Sequence, residues 1–273
     1  MKQTIFYLEG RGGNYLYHFF IYNLGGLYYI INKQYNIRRQ QNTSVLLDDK
    51  SKIVPIPTTQ ICYPIKIHMK NIIPFQRETF TILKDKFELI EDLSTLKYDY
   101  EIVSIYGENN NEEPKYIICP FLRSLFFEKI NFEIKKGKRI FITRKHNEKY
   151  HGGVLKRYMY NENELMLSLK KYNFEYIQLE DFSMYEKIKL FMESEMIVSS
   201  HSSALTLTLF SNKSTKIIEI LNNGTIGFIH SQIIGIAQAL GLCFRRYSNI
   251  QEDVNGNFNL NVNEFENYLI PLL

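Results

Sequence analysis

The sequence predicts an α/β fold of two Rossmann-like domains facing each other across a cleft. Two observations carry this expectation. Between Arg139 and Leu221, short apolar runs alternate with one-face helical patterns, the signature of βαβ units on a parallel sheet. A looser version of the same alternation fills the first half, and 273 residues suffice for two domains of ordinary size. The clearest polar break is Gly107-Glu108-Asn109-Asn110-Asn111-Glu112-Glu113-Pro114. The division is placed just after it, giving an N-terminal domain 1–120 and a C-terminal domain 121–273.

In chain order, Thr4-Ile5-Phe6-Tyr7-Leu8 reads as the first strand, followed by the glycine-rich turn Glu9-Gly10-Arg11-Gly12-Gly13. Asn14 can cap a helix that runs to about Ile31. Gly10 and Gly12 begin a dinucleotide-like Gly-x-Gly-x-x-Gly, but Tyr15 occupies the third glycine position, so a nicotinamide cofactor is not expected. His18 shares an aromatic helix face with Tyr15 and Tyr22, which suits either a core histidine or a role in the cleft. Ser44-Val45-Leu46-Leu47 reads as a strand with Asp48-Asp49 at its end, and 50–74 as irregular chain. Phe75 to Lys86 reads as helix, Phe87–Ile90 and Ile102–Tyr106 as strands, Lys115–Pro120 as extended, and Leu122–Phe132 as helix.

The second half is more regular. Arg139-Ile140-Phe141-Ile142-Thr143 reads as a buried strand ending at Arg144, with a long loop after it. Asn161 to Tyr172 reads as a helix whose Leu165, Leu169 and Tyr172 share a face, with Asn161 and Glu164 as a capping box. Phe174 to Leu179 is the next strand. Ser183 and Glu186 form a second capping box ahead of a helix with Met184, Ile188, Phe191 and Met192 on one face. Met196-Ile197-Val198 is a strand and Lys216 to Leu221 another. Ile229 to Leu240 is a helix, Cys243–Tyr247 a strand, and Asn261 to Leu273 a final helix.

Between two of these elements lies Ser199-Ser200-His201-Ser202-Ser203-Ala204, followed by the apolar Leu205-Thr206-Leu207-Thr208-Leu209-Phe210. A strand, a cluster of small polar residues and a helix place hydroxyls and unpaired backbone N–H groups at a helix N-terminus, which favours a phosphate. The same serines can also simply cap that helix. Arg144, Glu180, His201 and Glu219 all lie at or near strand carboxyl ends, where α/β sheets bind ligands.

These segments, in this order, resemble a known family. Arg139 to Arg144 is similar to its strand ending in Ser/Thr-Arg, and Arg157-Tyr158-Met159-Tyr160-Asn161-Glu162 to its Arg-x-x-x-Asn-Glu. Glu180 with Phe182-Ser183 is similar to its Glu-x-Leu-Ser. Ser200-His201-Ser202-Ser203-Ala204-Leu205-Thr206 resembles its His-Gly-Ala-Ala-Leu-Thr-Asn turn, and Ile217-Ile218-Glu219-Ile220 its Val-Ile-Glu-Leu strand. Gly13 to Phe19 is similar to its Asn-Tyr-x-x-His-Trp/Phe segment. The family is glycosyltransferase family 61, which includes xylosyl- and N-acetylglucosaminyltransferases. The chain departs from the family at Ser202, where Gly is usual, at Leu207, where Asn is usual, and at Lys187, where Gln is common. The resemblance implies a GT-B architecture.

Composition narrows the alternatives. Hydrophobic residues at 45% and charged residues at 23% describe a globular chain. A net charge of +4, with no basic stripe, does not suggest nucleic acid. Three cysteines, Cys62, Cys119 and Cys243, give neither a metal motif nor a disulfide framework. No signal-peptide pattern precedes Tyr7 and no apolar run reaches membrane-spanning length, so a cytoplasmic location is expected.

The functional expectation is an inverting glycosyltransferase that moves a xylose- or N-acetylglucosamine-type sugar from a UDP-sugar to a glycan acceptor. No Asp-x-Asp occurs, so no metal is expected, and Arg144 with Arg157 would hold the diphosphate. Gly12, Asn14, Ser200, His201, Ser202 and Ser203 would complete the substrate contacts, and Glu219 would accept from ribose hydroxyls or pair with a nearby lysine. Arg157 is equally readable as a surface residue near a helix start. Asp48 is the expected base, with His18 the alternative. The rival reading is a non-catalytic protein with a degenerate transferase fold that binds a glycan or partner chain. A Ser–His hydrolase ranks last, because no Gly-x-Ser-x-Gly elbow exists.

Overall fold

The computed structural model describes residues 3–9, 16–31, 38–40, 63–106, 113–130, 135, 137–144, 158–222 and 230–273. The chain divides into two compact units, Met1–Asn131 and Phe132–Leu273.

Unit 1 is a five-stranded sheet. Its strands are β1 (Gln3–Glu9), β2 (Arg38–Gln40), β3 (Ile65–His68), β4 (Phe87–Ile90) and β5 (Tyr100–Tyr106). They lie in the order β2-β5-β1-β3-β4 and run parallel, except that β2 pairs antiparallel with β5. A π-helix (His18–Leu24) leads directly into α1 (Gly25–Ile31). Further helices are α2 (Pro74–Ile82) and α3 (Glu113–Phe127). The core is phenylalanine-rich: Phe19 meets Phe75 and Phe80 edge-on at 5.3 and 6.3 Å, and Phe20 meets Phe126 at 5.8 Å.

Two expectations are corrected in this unit. Residues 50–74 were expected to be irregular throughout, yet Ile65–His68 is a strand between β1 and β4. Lys115–Pro120 was expected to be extended, yet it is helical within α3. Ile118, Cys119, Leu122, Leu125 and Phe126 are all buried at helical spacing, and that burial outweighs the breaker signal of Pro120, which is exposed. The expected boundary after residue 120 thus falls inside α3. The helix belongs to unit 1 because Ile118 packs against Gly25 and Phe121 meets Tyr28 at 5.4 Å.

Unit 2 is a second five-stranded sheet, wholly parallel. Its strands are β6 (Lys138–Ile142), β7 (Phe174–Ile177), β8 (Ser194–Ser200), β9 (Lys216–Asn222) and β10 (Cys243–Ile250). The order is β10-β9-β8-β6-β7. The chain runs from β6 outward to β7, then returns past β6 to β8, so the topological switch lies between β6 and β8. The helices are α4 (Glu162–Lys170), α5 (Met184–Glu193), α6 (His230–Leu240) and α7 (Val262–Leu269). On one face Phe141, Val198, Ile218 and Ile220 pack with Leu165 of α4 and Phe265 of α7. The Ser183–Glu186 capping box forms as expected, with the Ser183 N–H donating to Glu186 at 2.8 Å and the Glu186 N–H to Ser183 at 3.3 Å. Asn161 does not cap α4. Its amide instead donates to the Leu260 carbonyl at 2.8 Å and accepts from the Leu260 N–H at 2.9 Å, tying the start of α4 to the chain before α7.

Cys119 is buried and Cys243 exposed, both as free thiols. Among the described residues no helix is long and apolar enough to cross a membrane.

Candidate active site

The carboxyl ends of β6 and β8, with the middle of β9, bring together six of the expected residues: Arg144, Ser200, His201, Ser202, Ser203 and Glu219. This is the switch point of the unit 2 sheet, where open α/β sheets leave a crevice for ligands. His201 leaves β8 with its N–H still donating to the Ile220 carbonyl of β9 at 2.9 Å. That bond fixes the turn to the sheet.

The His201 ring is 5% exposed, and its Nδ1 lies 2.6 Å from Glu219 Oε1. The other Glu219 oxygen accepts from Arg246 Nε at 2.5 Å. Glu219 itself has no exposed surface. Burial pushes its carboxyl up, but His201 and Arg246 together outweigh that and hold it below its ordinary value. An ionised carboxylate can only accept, so Nδ1 is the donor and carries the proton. Nε2 makes no hydrogen bond among the described residues and is left for a ligand. Glu219 has both oxygens engaged and no exposed surface, so a ribose hydroxyl has no access to it here and the expected ribose contact is corrected. It orients His201 and Arg246 instead, as a buried carboxylate paired on both sides.

Arg144 follows β6 by two residues, and its Nη1 donates to the His201 carbonyl. It is half-buried. One edge of its guanidinium locks the turn. Behind it, Thr143 Oγ1 donates to Glu162 Oε1 at 2.6 Å, and the Tyr176 hydroxyl donates to the same oxygen at 2.8 Å. Glu162 is 3% exposed. Burial above all pushes the Tyr176 phenol up to about 12, so it stays protonated as a donor. This cluster clamps the end of β6 and so fixes the base of Arg144.

The turn continues into a 3₁₀-helix, Ser203–Phe210, whose N-cap Ser202 makes no side-chain capping bond. The serines therefore do not satisfy the first N–H groups by the usual cap. Ser202 sits at φ −158°, extended backbone that any residue adopts, so its replacement of the family's glycine introduces no strain. Leu207 is fully buried in the core. Thr206, Thr208 and Ser211 also lie fully buried, each with a hydroxyl that has no hydrogen-bond partner. Glu180 lies exposed just past β7.

In unit 1, His18 opens the π-helix, a conformation that recurs at functional sites. Its ring meets Tyr17 at 5.8 Å and Tyr22 at 5.2 Å. Burial lowers its pKa, which favours the neutral imidazole. Gly12, Asn14, Asp48 and Arg157 lie outside the described residues.

Sequence reasoning missed Arg246, Glu162, Thr143 and Tyr176. Arg246 carried a signal, a charged residue inside an otherwise strand-like run, but its partner depends on the β9–β10 register, which pairs it with Glu219. Glu162 belonged to a motif already noted, without a partner to explain it.

A parallel α/β sheet with arginine, histidine and an uncapped turn gathered at its switch point defines a Rossmann-like unit equipped for an anionic ligand. The chain belongs to the glycosyltransferase 61 family, whose model matches residues 16–218. The match runs from just before the π-helix into β9 and includes the His201 turn. Membership supports glycosyltransferase activity and implies a nucleotide sugar and a glycan acceptor as partners. No curated protein matches the chain.

Proposed function

We propose that the protein is an inverting, metal-independent glycosyltransferase of GT-B type. It would move a xylose- or N-acetylglucosamine-type sugar from a UDP-sugar to a glycan acceptor. The observation that carries this reading is the buried Arg246–Glu219–His201 chain, which fixes the His201 ring at the switch point, where Arg144 donates to the His201 carbonyl. Transfer needs the leaving diphosphate stabilised as the glycosidic bond breaks. The Arg144 guanidinium and the first N–H groups of the 3₁₀-helix are donors of this kind and need no cation. Metal independence is further supported by the absence of Asp-x-Asp.

Inversion needs one base, which takes the proton of the acceptor hydroxyl as that oxygen attacks the anomeric carbon. In this reading unit 2 holds the donor and unit 1 the base, from Asp48 or His18. The neutral, half-buried imidazole of His18 favours His18. The extended backbone of Ser202 weakens the rival non-catalytic reading, because the family's glycine is not needed for conformation there.

A thermal-shift screen against UDP, GDP and CMP tests the donor. UDP should raise the melting temperature most, and EDTA should leave that shift intact. No shift with any nucleotide would favour the non-catalytic reading, and a shift abolished by EDTA would remove metal independence.

A further inference from the structure

Unit 2 carries an open cavity of about 630 Å³, walled by Tyr160, Tyr247, Asp253 and Asn257 with Gln251 and Asn259 at its rim. It lies on the other face of the sheet from the His201 site. Ile218 and Ile220 pack with Phe265 and Leu269 of α7, so Glu219 between them points away from α7. Tyr247 packs on that same α7 cluster, whereas its neighbour Arg246 reaches Glu219. The cavity thus belongs to the α7 face and the proposed donor site to the opposite one.

Its wall is held in place before any ligand arrives. The Tyr160 hydroxyl donates to Asp253 Oδ2 at 2.5 Å, and Asn257 Nδ2 donates to the Tyr160 hydroxyl at 3.2 Å. Asn257 Oδ1 accepts from the Tyr158 N–H at 2.9 Å. Asp253 Oδ1 accepts from the N–H groups of Asn255 and Asn257 at 2.8 and 2.9 Å. Despite these bonds Tyr160 is 61% exposed. A fixed, solvent-facing aromatic ring set in a polar network is preorganised for a ligand with both an apolar face and many hydroxyls.

The charge of the lining selects further. Among the described residues no Lys, Arg or His lines the cavity, whereas Asp253 and Glu264 do. Phosphates, sulfates and uronic acids are therefore disfavoured. The amides of Gln251 and Asn259 make no hydrogen bond among the described residues, and each offers both donors and an acceptor, which suits vicinal hydroxyls. The volume falls within the range of small-ligand sites.

We infer that this cavity is a second site, which binds a neutral saccharide. Its use as a holding site for the acceptor glycan rests on the transferase reading, whereas saccharide binding itself does not. The test is calorimetric titration of the full chain with xylotriose, cellotriose and chitotriose as neutral probes and trigalacturonic acid as the anionic one, with UDP titrated separately. At least one neutral trisaccharide should bind, and trigalacturonic acid should bind at least tenfold more weakly. Tyr160→Ala should weaken the bound trisaccharide at least tenfold and leave UDP affinity unchanged. Should Tyr160→Ala unfold, the rim double variant Gln251→Ala/Asn259→Ala replaces it, since both residues are exposed, and a loss of at least threefold is expected. Binding of none of the neutral probes, equal binding of trigalacturonic acid, or unchanged affinity in the variants would each overturn the inference. UDP binding by the parent protein with none of the neutral trisaccharides bound overturns this site alone. Trisaccharide binding without UDP binding overturns the transferase reading alone.

Discussion

Glu219 shows how one residue can be placed in its strand correctly from sequence yet given the wrong partner. Its place within the strand of the Ile217–Ile220 run was legible, although it lies at the middle of β9 and not at its end. Its enclosure between His201 and Arg246 was not, because that depends on which residue of β10 lies beside it. The enclosure has a pH signature. A carboxyl held below its ordinary value of 4.5 binds its proton more tightly in the unfolded chain. Its stabilisation is therefore complete above about 4.5 and lost as pH falls through the lower folded value. Glu219→Gln should cost roughly 3 kcal/mol at pH 7, since it leaves the Arg246 guanidinium without its buried counter-charge. The gap from the parent protein, measured by urea melts, should narrow below about pH 4.5. A gap that stays constant down to pH 3 would contradict the arrangement. His18 makes a separate prediction. Burial lowers its pKa from 6.5, so if it is the base, the acidic limb of kcat/KM falls below that value. His18→Asn should then remove the limb and lower turnover by roughly 10²–10⁴-fold. A limb near the ordinary aspartate range that survives His18→Asn moves the role to Asp48.

At the scale of elements, what could be read was whatever repeats. The helices α4 and α5 follow from apolar residues at helical spacing, and the Ser183 box set the start of α5. The strands β6, β8 and β9 follow from continuous apolar runs, as expected for strands covered on both faces. What could not be read was short or contradicted locally. β2 has three residues and β3 four, too few for a period, and the π-helix has no pattern of its own in the sequence. In α3 the proline signal pointed to extended chain while burial of Ile118, Leu122 and Phe126 imposed a helix. Pro120 cannot donate to the carbonyl of Tyr116, one turn earlier, and both residues are exposed. Pro120→Ala should restore that bond, partly offset by the greater freedom of the unfolded chain. The net effect should be stabilisation by about 1–2 kcal/mol in thermal melts. Destabilisation would show that the helix is built around the proline ring.

For the molecule as a whole, the chain divides into two α/β units, one with a wholly parallel sheet and one parallel except for β2, each with a strand order that reverses beside its first strand. In unit 2 that reversal lies between β6 and β8, and Arg144 and His201 stand at the ends of those two strands. Sequence order alone could not place β8 next to β6. The most direct measurement is a calorimetric titration of UDP, in the presence of EDTA, into the full chain and into Arg144→Ala. The parent protein should bind UDP without metal. Arg144→Ala should bind it more weakly by roughly 1.5–3 kcal/mol, the worth of a charge-assisted contact, while keeping its fold by circular dichroism. Unchanged affinity in Arg144→Ala, or binding seen only with a divalent cation, would contradict the assignment of the diphosphate to this turn.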